Sequence, residues 1–242
     1  MIDPNNIQAI QLLVQDQIEF PEIDYRVNEP LNLPKTTILA AYTNIAKYVD
    51  PVLLEGLDWN HHGDIAWQNQ MLQSLSGSII EMINDYRNNT KDGLLLTKIF
   101  VWIQLWGCNS GRSIFVKGPR WPANFKLNIY SAAINFILEK DFHSALATLN
   151  RMFGIKTPFA TKHIHFWSNA KAPIYDSIIA AIVFGRKPHQ VSAGQYQPYM
   201  KALDALIEEL NNDQLTRSSI ERSLFNWANT PLGLQWRNLR LQ

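Results

Sequence analysis

The chain has 242 residues, of which 46% are hydrophobic, so it is long enough to bury a substantial core as one domain or as two closely joined lobes. Charged residues make up only 18% and the formal net charge is +1, which excludes an intrinsically disordered or coiled-coil protein. The single cysteine, Cys108, excludes a disulfide framework and is typical of the reducing cytoplasm.

Taken in chain order, the N-terminal residues MIDPNNIQAIQ contain no basic segment and no long apolar run, so we expect no signal peptide, no membrane span and a cytoplasmic location. Apolar residues at three- and four-residue spacing then predict a series of helices. The predicted helices are 36–48, 69–86, 92–106, 128–139, 143–152, Thr157–Trp167, Ser177–Phe184, Tyr196–Leu210 and 218–228. Strand-like alternation is confined to the short run 114–116, so the predicted fold class is all-α.

Polar residues at the predicted helix starts indicate N-caps. Asp176 is expected to cap the helix that begins at Ser177. The last predicted helix has two candidate caps, Thr216 and Ser218, and the spacing of Ser218 and Glu221 fits a capping box.

Charge is distributed unevenly along this nearly neutral chain. Residues 1–92 contain five basic and thirteen acidic residues, a net charge of −8, whereas residues 93–175 contain ten basic and two acidic residues, a net charge of +8. Residues 176–242 carry a net charge of +1. A strongly basic segment inside a neutral protein favours a polyanionic partner, although lysines scattered over a helical surface can give the same count.

The basic segment contains a predicted helix–turn–helix followed by an isolated carboxylate. Gly154 suits the close backbone approach or positive φ of the turn, and Pro158 fits the first turn of the second helix. The N-terminus of that helix can hold a DNA phosphate on its free N–H groups. Glycine also occurs in the turns of many helical hairpins that bind nothing, so the turn alone does not decide the function.

The sequence of this segment resembles the helix-hairpin-helix DNA glycosylases. Residues 153–157, Phe-Gly-Ile-Lys-Thr, occupy the place of their Gly-hydrophobic-Gly turn, and residues 173–176, Pro-Ile-Tyr-Asp, the place of their catalytic aspartate. Residues 159–167, Asp176 and residues 220–225 resemble the bacterial 8-oxoguanine DNA glycosylase-like branch, and the Trp106-Gly107 loop fits it too. The resemblance extends weakly over residues 95–228 and is specific around 153–176.

The resemblance implies an all-α, two-lobed helix-hairpin-helix glycosylase fold. Its first lobe would be 64–170, and 1–63 with 171–242 would form the second. Asp176 is expected to be catalytic, because base excision needs a carboxylate near C1′ of the sugar; a plain N-cap is the alternative. The chain departs from the family in two places: Lys156 replaces the second turn glycine, and Pro158 occupies the position of the nucleophilic lysine.

Because proline cannot be a nucleophile, the expected catalytic lysine is Lys162, which lies one helical turn farther on. Gly154, Lys156 and Thr157 are expected to bind the DNA backbone. The central loop supplies further expected DNA contacts, through phosphate-binding cations and a tryptophan that can stack on or wedge between bases. These residues are Arg112, Lys117, Arg120 and Trp121.

The expected activity is therefore that of a DNA N-glycosylase, with accompanying AP-lyase activity if a lysine attacks the sugar. The partner would be double-stranded DNA containing an 8-oxoguanine-like base or a hypermodified phage base, flipped out of the helix. We expect a monomer with no cofactor and no metal, since His163 and His165 lie two residues apart on a helix. The alternatives are a non-catalytic helix-hairpin-helix DNA-binding protein and a surface that binds another protein.

Overall fold

The computed structural model describes residues 65–89, 91–107, 125–152, 154–187, 190–211, 215–228 and 231–240, and every regular element in these ranges is helical. This confirms the all-α class. The α-helices are α1 (Ile65–Asn88), α2 (Gly93–Gly107), α3 (Leu127–Leu138), α4 (Phe142–Leu149), α5 (Thr157–Trp167), α6 (Ser177–Phe184), α7 (Tyr196–Leu210), α8 (Arg217–Ala228) and α9 (Pro231–Arg240). The predicted helix 36–48 and the strand-like run 114–116 lie outside the described residues.

The described residues fall into two compact units. The N-terminal unit contains the described residues up to 131 together with 152 and 154, and the C-terminal unit contains the described residues of 132–151 and of 155–240. The lobes implied by the resemblance, 64–170 and 1–63 with 171–242, stay a prediction, because the first 64 residues lie outside the described part of the chain.

In the N-terminal unit, α1 packs against α2 through an apolar face. Leu75, Ile79 and Ile83 repeat every four residues on α1 and are almost completely buried, as expected for one stripe of an amphipathic helix. Phe100 of α2 contacts Phe125 and Tyr130, with ring centroids 5.0 and 5.4 Å apart. These aromatic contacts join the start of α3 to α2.

The C-terminal unit contains the hairpin of α4 and α5 and the four helices α6 to α9. Helix α8 packs against α6, α7 and α9, and Ile182 of α6 forms a buried cluster with Trp227 and Ala228 of α8. Helix α9 was not predicted from the sequence. Its Gly233 lies so close to α8 that a side chain there would overlap the Trp227 carbonyl oxygen. None of the described helices is both long and apolar enough to span a bilayer.

Candidate functional site

The second helix of the predicted hairpin begins at Thr157, as the sequence predicts. Lys156 is its N-cap residue, with extended backbone angles and no hydrogen bond from its side chain, which is exposed. Thr157 is buried, and its hydroxyl accepts a hydrogen bond from Asn150 Nδ2 at 3.5 Å. Pro158 lies in the first helical turn, where its missing N–H costs no helical hydrogen bond.

Gly154 has φ of 83° and is exposed. A side chain is strained at such a positive φ, so glycine is the residue that this part of the connection requires. The neighbouring Phe153 lies outside the described residues.

Asp176 is the N-cap of α6, as the sequence predicts. Its backbone is extended, and its Oδ1 accepts hydrogen bonds from the N–H groups of Ile178 and Ile179 at 2.9 and 3.0 Å. The residue is half-buried, and Oδ2 accepts no hydrogen bond from any described residue. One carboxylate oxygen is therefore fixed by the helix through two hydrogen bonds.

Thr161 connects α5 to the segment that precedes Asp176. Its hydroxyl accepts a hydrogen bond from the Tyr175 N–H at 3.1 Å and lies 3.2 Å from the Pro158 carbonyl oxygen, to which it can donate. The next residue on α5 is the half-buried Lys162, whose Nζ lies 4.9 Å from the centroid of the Phe159 ring. A cation on a ring face is stabilised by the negative charge of that face.

A buried carboxyl group lies next to this arrangement, and sequence reasoning missed its role. Glu221 of α8 is only 7% exposed, and the Ile174 N–H donates a hydrogen bond to it. Burial, together with the negative charge of Asp176, raises the pKa of Glu221 to about 8, against the opposing effects of Arg222 and Lys162. Glu221 is thus mainly protonated at neutral pH, and it interacts electrostatically with both predicted catalytic residues.

The capping box predicted for Ser218 and Glu221 is wrong. Helix α8 begins at Arg217, so Ser218 is already helical, and its hydroxyl donates to the Ala170 carbonyl oxygen at 2.5 Å. Thr216 occupies the capping position instead: its Oγ1 accepts from the Ser219 N–H, and its own N–H donates to Ser219 Oγ. Local spacing fits both arrangements, but burial places Ser218 and Glu221 inside the unit.

Three tyrosines pack around the segment before Asp176. Tyr175 lies against Tyr199, with ring centroids 5.2 Å apart, and Tyr196 donates its hydroxyl hydrogen to the Pro173 carbonyl oxygen at 2.8 Å. Burial is the main cause that raises the pKa of all three hydroxyls. The Tyr199 hydroxyl is completely buried and has no hydrogen-bond partner among the described residues. These phenols remain protonated at neutral pH and serve as packing and hydrogen-bonding groups.

The two histidines of α5 occupy different environments. His163 is fully buried, which lowers its pKa to about 3, so it is neutral in the folded protein. His165 is half-buried, its Nδ1 lies 2.9 Å from the Ala172 carbonyl oxygen, and burial lowers its pKa as well. Within the described ranges, no three His, Cys, Asp or Glu side chains are grouped so that they could hold a metal ion.

The predicted DNA contacts of the central loop lie outside the described residues. They are Arg112, Lys117, Arg120 and Trp121, and Cys108 belongs to the same segment. Of the predicted site residues, the structure therefore describes Gly154, Lys156, Thr157, Lys162 and Asp176. No protein-family model, curated protein or solved structure matches this chain.

Proposed function

We propose that the protein is a DNA N-glycosylase that flips a damaged or modified base out of the duplex and cleaves its N-glycosidic bond. The observation that carries the proposal is the geometry of Asp176, a half-buried carboxylate that is held by two helix amides through one oxygen only. A carboxylate fixed in this way can stabilise the positive charge that develops on the sugar, without reorganising during the reaction. The sequence resemblance gives the same residue this role.

Hydrolysis by water is the route that we favour. Lys162 lies one helical turn beyond the position that the resemblance gives to the nucleophilic lysine, and its Nζ lies 4.9 Å from the Phe159 ring centroid. Asp176 would accept a proton from the attacking water through its Oδ2, and the product would be an abasic site in an intact strand. Attack by Lys162 would instead form a Schiff base and lead to a nicked strand.

Glu221 supports this chemistry as a neutral group. A negatively charged Glu221 beside Asp176 would raise the free energy of the ionised Asp176, which is the form that catalysis needs. Because Glu221 is mainly protonated at neutral pH, Asp176 can remain the only negative charge of the pair. The Ile174 N–H also donates to Glu221, which fixes the backbone two residues before Asp176.

The DNA backbone would be held at the start of α5. Lys156 is exposed beside the first helical amides, Gly154 allows a close approach of the chain, and Thr157 would contribute its backbone rather than its buried side chain. The central-loop residues named above would add cationic and stacking contacts. The substrate would be an 8-oxoguanine-like base or a hypermodified phage base, as the resemblance implies.

Release of free base from DNA tests the proposal. The substrates are a duplex containing 8-oxoguanine and phage DNA with modified cytosines, and the proteins are the wild type, Asp176→Asn and Lys162→Ala. Direct nicks and alkali-labile sites are scored separately. We expect release that Asp176→Asn abolishes, with alkali-labile sites exceeding direct nicks and retained activity in Lys162→Ala.

A non-catalytic DNA-binding protein is the second candidate, because the N-cap hydrogen bonds of Asp176 are a sufficient structural reason for an aspartate there. This alternative predicts salt-dependent DNA binding with no base release from either DNA. It also predicts that Asp176→Asn binds DNA as the wild type does.

A further inference from the structure

A cationic cleft lies in the C-terminal unit, formed by residues that the proposed reaction does not use. It is open on one side and has a volume of about 420 Å³, within the size range of small-ligand sites. Its basic lining comes from three separate places in the chain: Lys140 between α3 and α4, Lys171 after α5, and Arg217 at the start of α8.

The two lysines are the groups that are available to a ligand. Lys140 and Lys171 are exposed, and neither forms an ion pair with a described residue. Arg217 already forms an ion pair, because its Nε and Nη2 donate to the two carboxylate oxygens of Asp204 at 2.6 and 2.7 Å. The cleft also contains one carboxylate, Asp141, which caps α4 by accepting a hydrogen bond from the Ser144 N–H at 3.0 Å.

The backbone at the end of α3 places Lys140 at the edge of the cleft. Lys140 has φ of 62°, in the left-handed region, where its N–H donates to the Ile137 carbonyl oxygen at the end of α3. Glycine is the usual residue at this position of a helix end, because a side chain is strained there. Asn169, Ala170 and Asn211 also have positive φ, and Lys140 differs from them in lining the cavity.

Apolar groups contribute to the lining of the cleft, which also includes His143 and Gln197. Phe142 of α4 and Met200 of α7 are largely buried, and their remaining surface faces the cavity alongside the lysines. Two compact ammonium charges beside an aromatic and a thioether side chain fit a ligand that has both a phosphate and a flat apolar part.

We propose that this cleft binds the phosphate of a nucleotide unit, with Lys140 and Lys171 holding the phosphate and Phe142 and Met200 contacting the base or sugar. Two ligands contain such a unit, a strand of DNA and a free mononucleotide, and the test below distinguishes them. The inference does not depend on cleavage of a glycosidic bond.

The test compares Lys140→Gly combined with Lys171→Ala against a control in which Lys91→Ala is combined with Lys201→Ala. Both double variants lose two positive charges, but Lys91 and Lys201 are exposed residues that do not line the cavity. Glycine relieves the strained φ of Lys140, so we expect the cleft variant to unfold at a temperature no lower than the wild type. A loss of binding then cannot be attributed to misfolding.

Binding is measured with a labelled unmodified duplex over a series of salt concentrations, and with dAMP by calorimetry. If the source is DNA, the cleft variant loses affinity for the duplex relative to the control, and the dependence of log K on log salt falls by roughly 1 for each lysine that contacts a phosphate. If the source is a free nucleotide, the wild type and the control bind dAMP and the cleft variant does not.

The proposal is overturned if the cleft variant binds both probes as the control does, or if the wild type binds neither. Base release is measured on the same proteins at saturating DNA. Loss of binding in the cleft variant, without base release by any of the proteins, would sustain the cleft and remove the glycosylase proposal. Base release by the wild type, together with unchanged binding in the cleft variant, would support the glycosylase proposal and overturn the cleft proposal.

Discussion

The Thr161 hydroxyl accepts a hydrogen bond from the Tyr175 backbone N–H at 3.1 Å, across fourteen residues of sequence. Both residues are completely buried. Because Tyr175 directly precedes Asp176, this bond fixes the start of α6 relative to α5. It therefore connects the helix of the predicted lysine to the segment of the predicted catalytic aspartate.

Thr161→Val is expected to lower the free energy of unfolding by about 1–3 kcal/mol. Valine has nearly the same shape, but it leaves the buried Tyr175 N–H without a partner. The free-energy cost of removing that N–H from water is then not offset by a hydrogen bond. Urea unfolding at neutral pH measures the change, and Thr161→Ser, which keeps the hydroxyl, is the matched control. Equal stability of the valine variant and the wild type would show that the hydrogen bond contributes nothing.

The helices could be predicted from the sequence because their signals are local. The bounds predicted for α5, α6 and α7 agree with the structure, since apolar spacing, a proline in the first turn and a capping aspartate act within a few residues. Helix α9 was not predicted, although its leucines and its tryptophan recur at helical spacing. Its Gly233 allows it to approach α8 closely, a contact between helices that local spacing does not record.

Part of the candidate site could not be predicted from local spacing. The capping role of Asp176 was predicted from its position and its place in the site from the family resemblance, whereas Glu221 fits an ordinary capping box in sequence and is instead a buried group that the Ile174 N–H binds. The role of Glu221 arises from burial and from contacts across more than forty residues of sequence. No periodic pattern in the sequence records such contacts.

Substitutions of Asp176 separate its structural and catalytic roles. Asp176→Ala removes the acceptor for the Ile178 and Ile179 N–H groups, so we expect a loss of about 1 kcal/mol in the free energy of unfolding. Asp176→Asn keeps a capping oxygen and is expected to unfold nearly as the wild type does. Its base release should nevertheless fall by about 10²–10³-fold, because the charge that stabilises the transition state is absent.

Thermal unfolding and single-turnover base release are measured on the same preparations of both Asp176 variants. If Asp176→Asn retains release while Asp176→Ala loses only stability, the aspartate is a cap and another group must stabilise the transition state. DNA affinity is the control, and it should be unchanged in the asparagine variant.

Glu221→Gln is expected to change how stability depends on pH. The pKa of Glu221 is about 8 in the folded protein and about 4.3 in the unfolded chain, so the folded state binds the proton more tightly. The contribution of Glu221 is therefore fully present below about pH 4 and is lost as the pH rises toward 8. Glutamine keeps a neutral acceptor for the Ile174 N–H, and the variant should become more stable than the wild type as the pH rises from 5 to 9.

The measurement is the difference in the free energy of unfolding between wild type and Glu221→Gln, taken by urea titration at several pH values. Taking the difference cancels the contributions of His163 and His165, whose lowered pKa values destabilise both proteins in acid. Parallel pH profiles would contradict a protonated Glu221 beside Asp176, since an ionised carboxyl group in the folded state gives no such divergence.

Two tyrosine substitutions that remove the same atom are expected to have opposite effects. Tyr196→Phe deletes a hydroxyl that donates to the Pro173 carbonyl oxygen at 2.8 Å, and it leaves that buried oxygen unpaired, so we expect a loss of about 1–3 kcal/mol. Tyr199→Phe deletes a buried hydroxyl that has no partner among the described residues, so it should leave stability unchanged or raise it.

Urea unfolding of both tyrosine variants at one pH decides between these effects, because burial and ring size are matched. A large loss in Tyr199→Phe would mean that the hydroxyl is bound in solution by a water molecule or by a part of the chain outside the described ranges.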